Sequence, residues 1–206
     1  MSVLHASLQV VLPASPFPPL AVGFFGLGTG YLIYGTQELF GYPARDERVD
    51  LAMGVWGVWM PGFMQFLTGV YLFAGLTLFG TFTAPPLYMA ALAFTAFGVH
   101  WFALGWNRLR RADARANIGM TFAFLLLSVL GVIVFFKAND HPVGGVFIGL
   151  ACVYAAEFFA TLAPDVPMFR PAERVLGFVR LGTGLWLMYL VFAVVLDFVL
   201  KYTLPV

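Results

Sequence analysis

Charged residues are scarce in this chain. Asp, Glu, Lys and Arg make up only 10% of its 206 residues, whereas hydrophobic residues make up 61% and the mean hydropathy is +0.90. A soluble domain carries about 25% charged residues, so this chain has too few charges to build a water-facing surface. The composition therefore predicts an all-α, polytopic integral membrane protein.

Several other features are missing, and each absence excludes a class of function. Cys152 is the single cysteine and lies in an apolar run, which excludes a disulfide framework and argues against a zinc cluster. The net charge of +1 gives no reason to expect nucleic-acid binding. There is no Gly-Lys-Ser/Thr phosphate loop, no hydrolase or kinase motif, and no His or Cys pair at ligand spacing. We therefore expect no enzyme activity, no metal and no other cofactor.

Six apolar segments are long enough to cross a bilayer, which needs about 20 residues each. We predict one bundle of six transmembrane helices over residues 20–206, preceded by an irregular arm, residues 1–19, that contains four prolines. The many small residues of the first three segments would let helices approach closely. The predicted spans are about 20–40, 51–73, 87–106, 118–136, 146–163 and 175–199.

Basic residues are concentrated in alternate loops. The opposite side has only Lys137 and Lys201. Because cytoplasmic loops are enriched in Lys and Arg, this bias predicts an inner-membrane protein with loops one, three and five in the cytoplasm and both termini outside. The arginines of these loops are Arg45, Arg48, Arg108, Arg110, Arg111, Arg115, Arg170 and Arg174.

Glu157 raises a separate question, because it stands inside the apolar run "GVFIGLACVYAAEFFATLA". An ionisable group at this depth usually faces a bundle interior or a water-filled cavity. One interpretation is a buried ion pair with Arg180, or with Arg174, of the next span. The other is a titratable gate or a contact for the solute.

Aromatic residues make up 17% of the chain. In "FTAFGVHWF", Phe94, Phe97 and Trp101 share one helical face and could narrow a pore for small neutral molecules; ordinary packing is the alternative. His100 is either a hydrogen-bonded histidine near a helix end or a ligand whose second partner the sequence does not supply. The complete set of pore or solute candidates is Phe25, Thr29, Gln65, Phe94, Phe97, His100, Trp101, Glu157 and Trp186.

The chain resembles the urea/amide channel family over nearly its whole length after Leu20. The similar stretches are "YGTQELFGYPARDERVDLAMG", "LAFTAFGVHWFALGW", "NDHPVGGVFIGLACVYAAEFF" and "MFRPAERVLGFVRLGTGLW". Glu157 falls near the place of a glutamate in the fifth span of the proton-gated urea channel. This resemblance implies outward termini, a pore with aromatic and aliphatic constrictions, and a homohexameric ring.

The chain also resembles the acetate/succinate transporter family. "SPFPPLAVGFFGLGT" is similar to that family's Asn-Pro-Ala-Pro-Leu-Gly-Leu motif, with Ser15 in place of the Asn. "GFMQFLTG" matches its Gly-x-x-Gln-x-x-x-Gly second span, and "AFTAFGVHWF" is similar to its third span, with Phe97 where a Tyr is usual. This family is expected to keep its termini in the cytoplasm, opposite to the orientation that the arginines predict.

These observations lead to a channel or transporter for a small solute in the lipid bilayer. Urea or a short amide is the first expectation, and acetate or another short carboxylate is the alternative. A structural subunit that transports nothing, within a larger membrane complex, is the alternative from another class.

Overall fold

The computed structural model describes residues 17–163, 166, 168 and 171–205. The predicted N-terminal arm therefore lies outside the described residues, except for residues 17–19. These residues form the start of the first helix, which begins at Phe17. Pro18 and Pro19 fit its first turn because the N–H groups there have no partner within the helix.

Within the described residues the chain forms six long helices and no strand. Five of them, α2 to α6, are long and apolar enough to cross a membrane, and the predicted all-α polytopic membrane fold is confirmed. A 3₁₀ turn, Ala114–Asn117, leads into α4. The helices are α1 (Phe17–Phe40), α2 (Glu47–Leu78), α3 (Pro86–Arg110), α4 (Ile118–Lys137), α5 (His141–Leu162) and α6 (Ala172–Leu200).

The first helix lies in the same bundle, packed along the last one. Its 24 residues span about 36 Å, more than the roughly 30 Å of a hydrocarbon core. Glycines bring the two backbones together: a Cβ atom on Gly35 would lie 2.9 Å from the carbonyl oxygen of Gly177, and one on Gly184 would lie 3.2 Å from that of Gly28. Only small residues allow this approach.

Polar caps carry the helices beyond the predicted apolar spans. Asp46 accepts a hydrogen bond from the Val49 amide at the start of α2, and Asp140 accepts one from the Val143 amide at the start of α5. Such caps satisfy amides that have no partner within the helix. At the other end, α3 stops where Arg111 adopts a left-handed conformation with a φ of 53°.

The second helix contains two wide, π-helical turns, Val58–Phe63 and Ala74–Leu78. Pro61 lies in the first and cannot donate a backbone hydrogen bond, so the helix widens there. The Gln65 side chain, Nε2, donates to the Pro61 carbonyl oxygen over 2.9 Å. This bond holds a buried amide beside the centre of the bundle.

The second and third helices also meet through small residues. A Cβ atom on Gly98 would lie 2.6 Å from the Phe66 amide nitrogen, and one on Gly69 would lie 2.2 Å from Thr95 Oγ1. Gly69 and Gly98 therefore serve the close packing of helices that the sequence predicts for its small residues.

The loops define two ends of the bundle. The α1–α2 and α3–α4 connections lie at one end, together with the last residue of α5, Leu162, and the first of α6, Ala172. We call this end the arginine-rich face; the α2–α3 and α4–α5 connections lie at the opposite face. Polar contacts hold the arginine-rich face together. Arg108 is 2.9 Å from Asp50 and also donates to the Gln37 side chain, while Arg111 is 2.9 Å from Glu47. These contacts connect the ends of α1, α2 and α3 at the arginine-rich face.

Candidate functional site

A buried arginine lies between two carboxylates from different helices. Arg180 of α6 donates through Nη1 to Glu38 of α1, and its Nη2 lies 3.1 Å from Oε2 of Glu157 on α5. The side chains of Arg180, Glu38 and Glu157 are 3%, 8% and 11% exposed. We call these three residues the charge triad.

The charge triad holds one cation for two anions, so its net charge is −1 when all three groups are ionised. Burying an unpaired charge costs several kcal/mol, and Arg180 offsets this cost for both carboxylates. Its guanidinium carbon also lies 6.0 Å from the ring centres of Tyr34 and Trp101, within the range of a cation–π interaction. Arg180 is therefore the centre of this part of the core.

Several buried polar atoms around the charge triad have no hydrogen-bond partner among the described residues. Buried polar groups are nearly always paired in native proteins. A cluster of unpaired groups is therefore typical of a place that binds water or a polar solute. The atoms are Tyr31 Oη, Glu38 Oε2, His100 Nδ1, Trp101 Nε1, Glu157 Oε2 and Arg180 Nε.

Aromatic side chains fill the core deeper in the bundle. Tyr31 contacts Trp101 with ring centres 5.9 Å apart, and Phe97 stacks on Tyr154 at 5.6 Å and 12°. Each of these four side chains is at most 2% exposed. We call Tyr31, Phe97, Trp101 and Tyr154 the aromatic layer.

His100 borders the aromatic layer. Its ring centre lies 5.6 Å from that of Tyr154 and 5.0 Å from that of Phe124. Among the described residues no group of three or more His, Cys, Asp or Glu side chains could hold a metal ion. The His100 ring therefore packs among aromatic side chains, and its Nδ1 has no hydrogen-bond partner among the described residues.

An apolar cavity of about 60 Å³ reaches the aromatic layer from the opposite face. Phe97 forms part of its inner wall, and Gln65 and Asp140 are the polar residues in its lining. This volume has room for a few water molecules or a very small solute. The remaining lining residues are Leu20, Phe24, Leu27, Leu87, Ala90, Ala93, Phe94, Phe135, Val143, Val146, Phe147 and Leu150.

A wider vestibule of about 910 Å³ opens at the arginine-rich face. Tyr34 and the three residues of the charge triad line it. Five arginines and five carboxylates share its wall, so the vestibule as a whole is balanced in charge. These residues are Arg45, Arg108, Arg111, Arg115, Arg180, Glu38, Asp50, Asp113, Glu157 and Glu173.

One carboxylate at the rim of this vestibule has a clearly shifted pKa. Asp113 accepts hydrogen bonds from the Arg115 guanidinium and amide. These bonds favour the ionised form and lower the pKa of Asp113 to about 2. Asp113 is therefore charged at any physiological pH.

The apolar cavity and the vestibule approach the aromatic layer from opposite faces of one bundle. Phe97 lines the cavity, and the charge triad lines the vestibule. A solute moving between them would pass the rings of Tyr31, Trp101 and Tyr154. The cavity and the vestibule share no lining residue, and the buried rings of the aromatic layer are packed closely in this conformation.

The structure brings together most of the predicted pore candidates and separates three of them. Gln65, Phe94 and Phe97 line the apolar cavity. His100, Trp101 and Glu157 are buried in the core between this cavity and the arginine-rich face.

Three candidates lie elsewhere. Phe25 is 42% exposed on the outside of α1, because the face with Phe24 and Tyr31 turns inward. Thr29 is half-buried and lines neither cavity. Trp186 donates to the Pro142 carbonyl oxygen over 3.1 Å and stacks on Tyr189, away from both cavities.

Sequence reasoning missed three members of this site. Tyr31, Tyr154 and Glu38 are not among the candidates that the sequence indicates. A signal was present: Tyr31, Tyr34 and Glu38 follow one another at helical spacing, as do Tyr154 and Glu157. Polar groups on one face of an apolar helix indicate the side that faces the bundle interior.

Comparison with solved structures identifies a protein of the same fold. The structure titled "Structure of the bacterial acetate channel SatP" superposes with a TM-score of 0.67 over 91% of this chain and 97% of that chain. This chain shares the fold of that channel. The sequences are 22% identical, so the likeness concerns the fold alone. No family model matches the chain, and no curated protein matches it by sequence.

Proposed function

We propose that this protein is a membrane channel or transporter, not an enzyme, and that it moves a short monocarboxylate such as acetate. The observation that carries the proposal is the pair of cavities that reach one aromatic layer from opposite faces of a single bundle. The shared fold with a protein described as an acetate channel supports acetate over the other solutes.

The chemistry of the path suits a small carboxylic acid. The apolar cavity offers a surface for a short alkyl group, and Arg180, beyond the aromatic layer, offers a guanidinium for the carboxylate. A guanidinium N–H donates a charge-assisted hydrogen bond to a carboxylate. Nε of Arg180 has no partner among the described residues, so one donor remains for a solute.

Urea or a short amide is the second candidate. The net negative charge of the charge triad favours it, because a carboxylate anion next to Glu38 and Glu157 would add a further negative charge. A neutral amide brings no charge and could still bond to the unpaired polar atoms. Flux measurements separate the two candidates.

Orientation is a separate part of the proposal and rests on the arginines, since the resemblance to the acetate/succinate transporter family implies the opposite orientation. We place the arginine-rich face in the cytoplasm, because Lys and Arg are enriched in cytoplasmic loops; both termini then lie outside. The residues that line both cavities belong to one chain. A homohexamer remains a prediction from the resemblance to urea channels.

The test is a flux assay on the full chain in liposomes, with radiolabelled acetate, acetamide and urea, each with and without a pH gradient. We expect acetate to equilibrate faster than in protein-free liposomes, and faster relative to that control than either amide. Faster urea or acetamide would favour the second candidate. A folded protein that accelerates none of the three would favour the structural-subunit alternative.

A matched pair of variants checks the route. Ala93 lines the apolar cavity and is 3% exposed, whereas Leu185 is 62% exposed on α6. Ala93→Phe should fill the cavity and abolish flux, and Leu185→Phe should leave flux unchanged. Equal flux in the two folded variants would place the route elsewhere.

A further inference from the structure

An apolar groove of about 480 Å³ runs along the outside of the bundle between α3 and α4. It is separate from the apolar cavity that Phe97 lines. Val99 and Leu92, on its wall, are 52% and 42% exposed, so the groove faces the membrane. Its principal lining residues are Phe73, Leu92, Ala96, Val99, Ala103 and Met120.

The groove has the depth of one membrane leaflet. Along α3 it extends from Leu92 to Leu104, which corresponds to about 18 Å of helix. Half of a hydrocarbon core is about 15 Å. Inside a bilayer, the walls of such a groove gain van der Waals contacts when a lipid acyl chain fills it. An empty groove would lose those contacts.

The same face of α3 continues beyond the groove to a tryptophan and an arginine. Ala103, Trp106 and Arg110 follow at spacings of three and four residues, which places them on one helical face. The Arg110 guanidinium carbon lies 4.9 Å from the centre of the Trp106 ring, and Trp106 is 51% exposed. Tryptophan side chains favour the level of lipid headgroups.

Arg110 differs from its neighbours in the α3–α4 connection. Arg108 contacts Asp50, Arg111 contacts Glu47, and Arg115 contacts Asp113. Arg110 is exposed and has no carboxylate partner among the described residues. Among these four arginines, Arg110 is therefore the one whose guanidinium is open to a group outside the protein.

We propose that this groove binds one anionic phospholipid of the surrounding bilayer. An acyl chain lies in the groove between α3 and α4, and the phosphate contacts Arg110, which Trp106 holds at the headgroup level. The charge of Arg110 favours an anionic headgroup, since a basic residue near a membrane surface attracts anionic lipids. The proposal does not depend on which solute the protein moves.

The position of the groove connects the lipid to the transport path. His100 lines the groove, and its ring contacts Trp101 and Tyr154 of the aromatic layer with centres 6.1 and 5.6 Å apart. One side chain therefore separates a bound acyl chain from the rings that close the path. An acyl chain in the groove supports the aromatic layer from the membrane side.

The test is native mass spectrometry of the full chain, purified in detergent and offered an equal mixture of phosphatidylglycerol and phosphatidylcholine. We expect a preference for phosphatidylglycerol. Arg110→Gln should weaken phosphatidylglycerol binding about fivefold, the factor that corresponds to about 1 kcal/mol for one basic residue near the surface. Arg111→Gln is the matched control, because that arginine already contacts Glu47, and it should keep the preference.

Filling the groove tests the acyl-chain part of the proposal. Ala103 is exposed and lines the groove, so Ala103→Phe places a ring in the groove without altering the core. This variant should weaken the binding of both lipids. The control variant Leu185→Phe, on the outside of α6, should not. Equal losses in the Arg110 and Arg111 variants would overturn the proposal. Unchanged lipid binding in Ala103→Phe would also overturn it. A change in oligomeric state with unchanged lipid binding would show instead that a second copy of the chain occupies the groove.

Discussion

Removing the cation of the charge triad should destabilise the protein more than removing either anion. In Arg180→Gln, Glu38 and Glu157 lose their shared partner, so two buried carboxyl groups must either take up protons or stay charged without a cation. In Glu157→Gln, Arg180 keeps its hydrogen bond to Glu38. Each change removes one charge, but Glu157→Gln keeps the size of the side chain, whereas Arg180→Gln also shortens it by about two heavy atoms and adds a cavity cost. A control with the same shortening is therefore needed to isolate pairing.

The magnitudes follow from the geometry. Breaking a buried ion pair by removing one partner costs about 3–5 kcal/mol, and we expect Arg180→Gln to fall in this range or above it. Glu157 contributes a contact of 3.1 Å without a hydrogen bond to its Oε2, so Glu157→Gln should cost only about 1 kcal/mol. For a chain of this length, 3–5 kcal/mol corresponds to a fall of about 6–20 °C in Tm.

Thermal unfolding of the purified variants in one detergent, followed by circular dichroism, measures these shifts. The decisive control is a triple variant, Arg180→Gln with Glu38→Gln and Glu157→Gln, which removes every charge of the triad. Neutral replacements of a buried ion cluster are often tolerated, so the triple variant should be more stable than Arg180→Gln alone. A single Arg180→Gln variant with the Tm of the unmodified protein, or a triple variant no better than the single one, would refute the pairing argument.

Three further outcomes are expected. Gly98→Ala should cost about 1–3 kcal/mol because its Cβ atom would lie 2.6 Å from the Phe66 amide nitrogen; Gly182→Ala, with nothing within 4 Å, should be neutral or slightly stabilising in the same unfolding assay. Phe97→Ala should remove one ring of the aromatic layer and admit larger solutes such as butyrate in the flux assay; unchanged size selectivity in a folded variant would contradict this. A reporter fused after Val206 should be extracytoplasmic in intact cells, and a cytoplasmic reporter would reverse the proposed orientation.

The fold could be predicted because its determinants are properties of single segments. Low charge, six apolar runs and the loops that interrupt them indicate a helical membrane bundle before any contact is known. The ends of the helices were harder to place, since they depend on local capping. Asp46 and Asp140 begin α2 and α5 outside the apolar runs, through single side-chain hydrogen bonds that hydropathy does not register.

The site depends on the rotation of each helix about its own axis, which the composition of a segment does not determine. Glu38 stands two residues before the end of α1, where a carboxylate usually reaches the interface. It is buried instead because Gly35 and Gly177 let α1 and α6 approach until Arg180 lies within reach. The charge triad therefore follows from glycine packing between two helices far apart in sequence. That packing also explains why a carboxylate is tolerated inside the apolar run of α5, since Glu157 shares an arginine that α1 and α6 already hold in place.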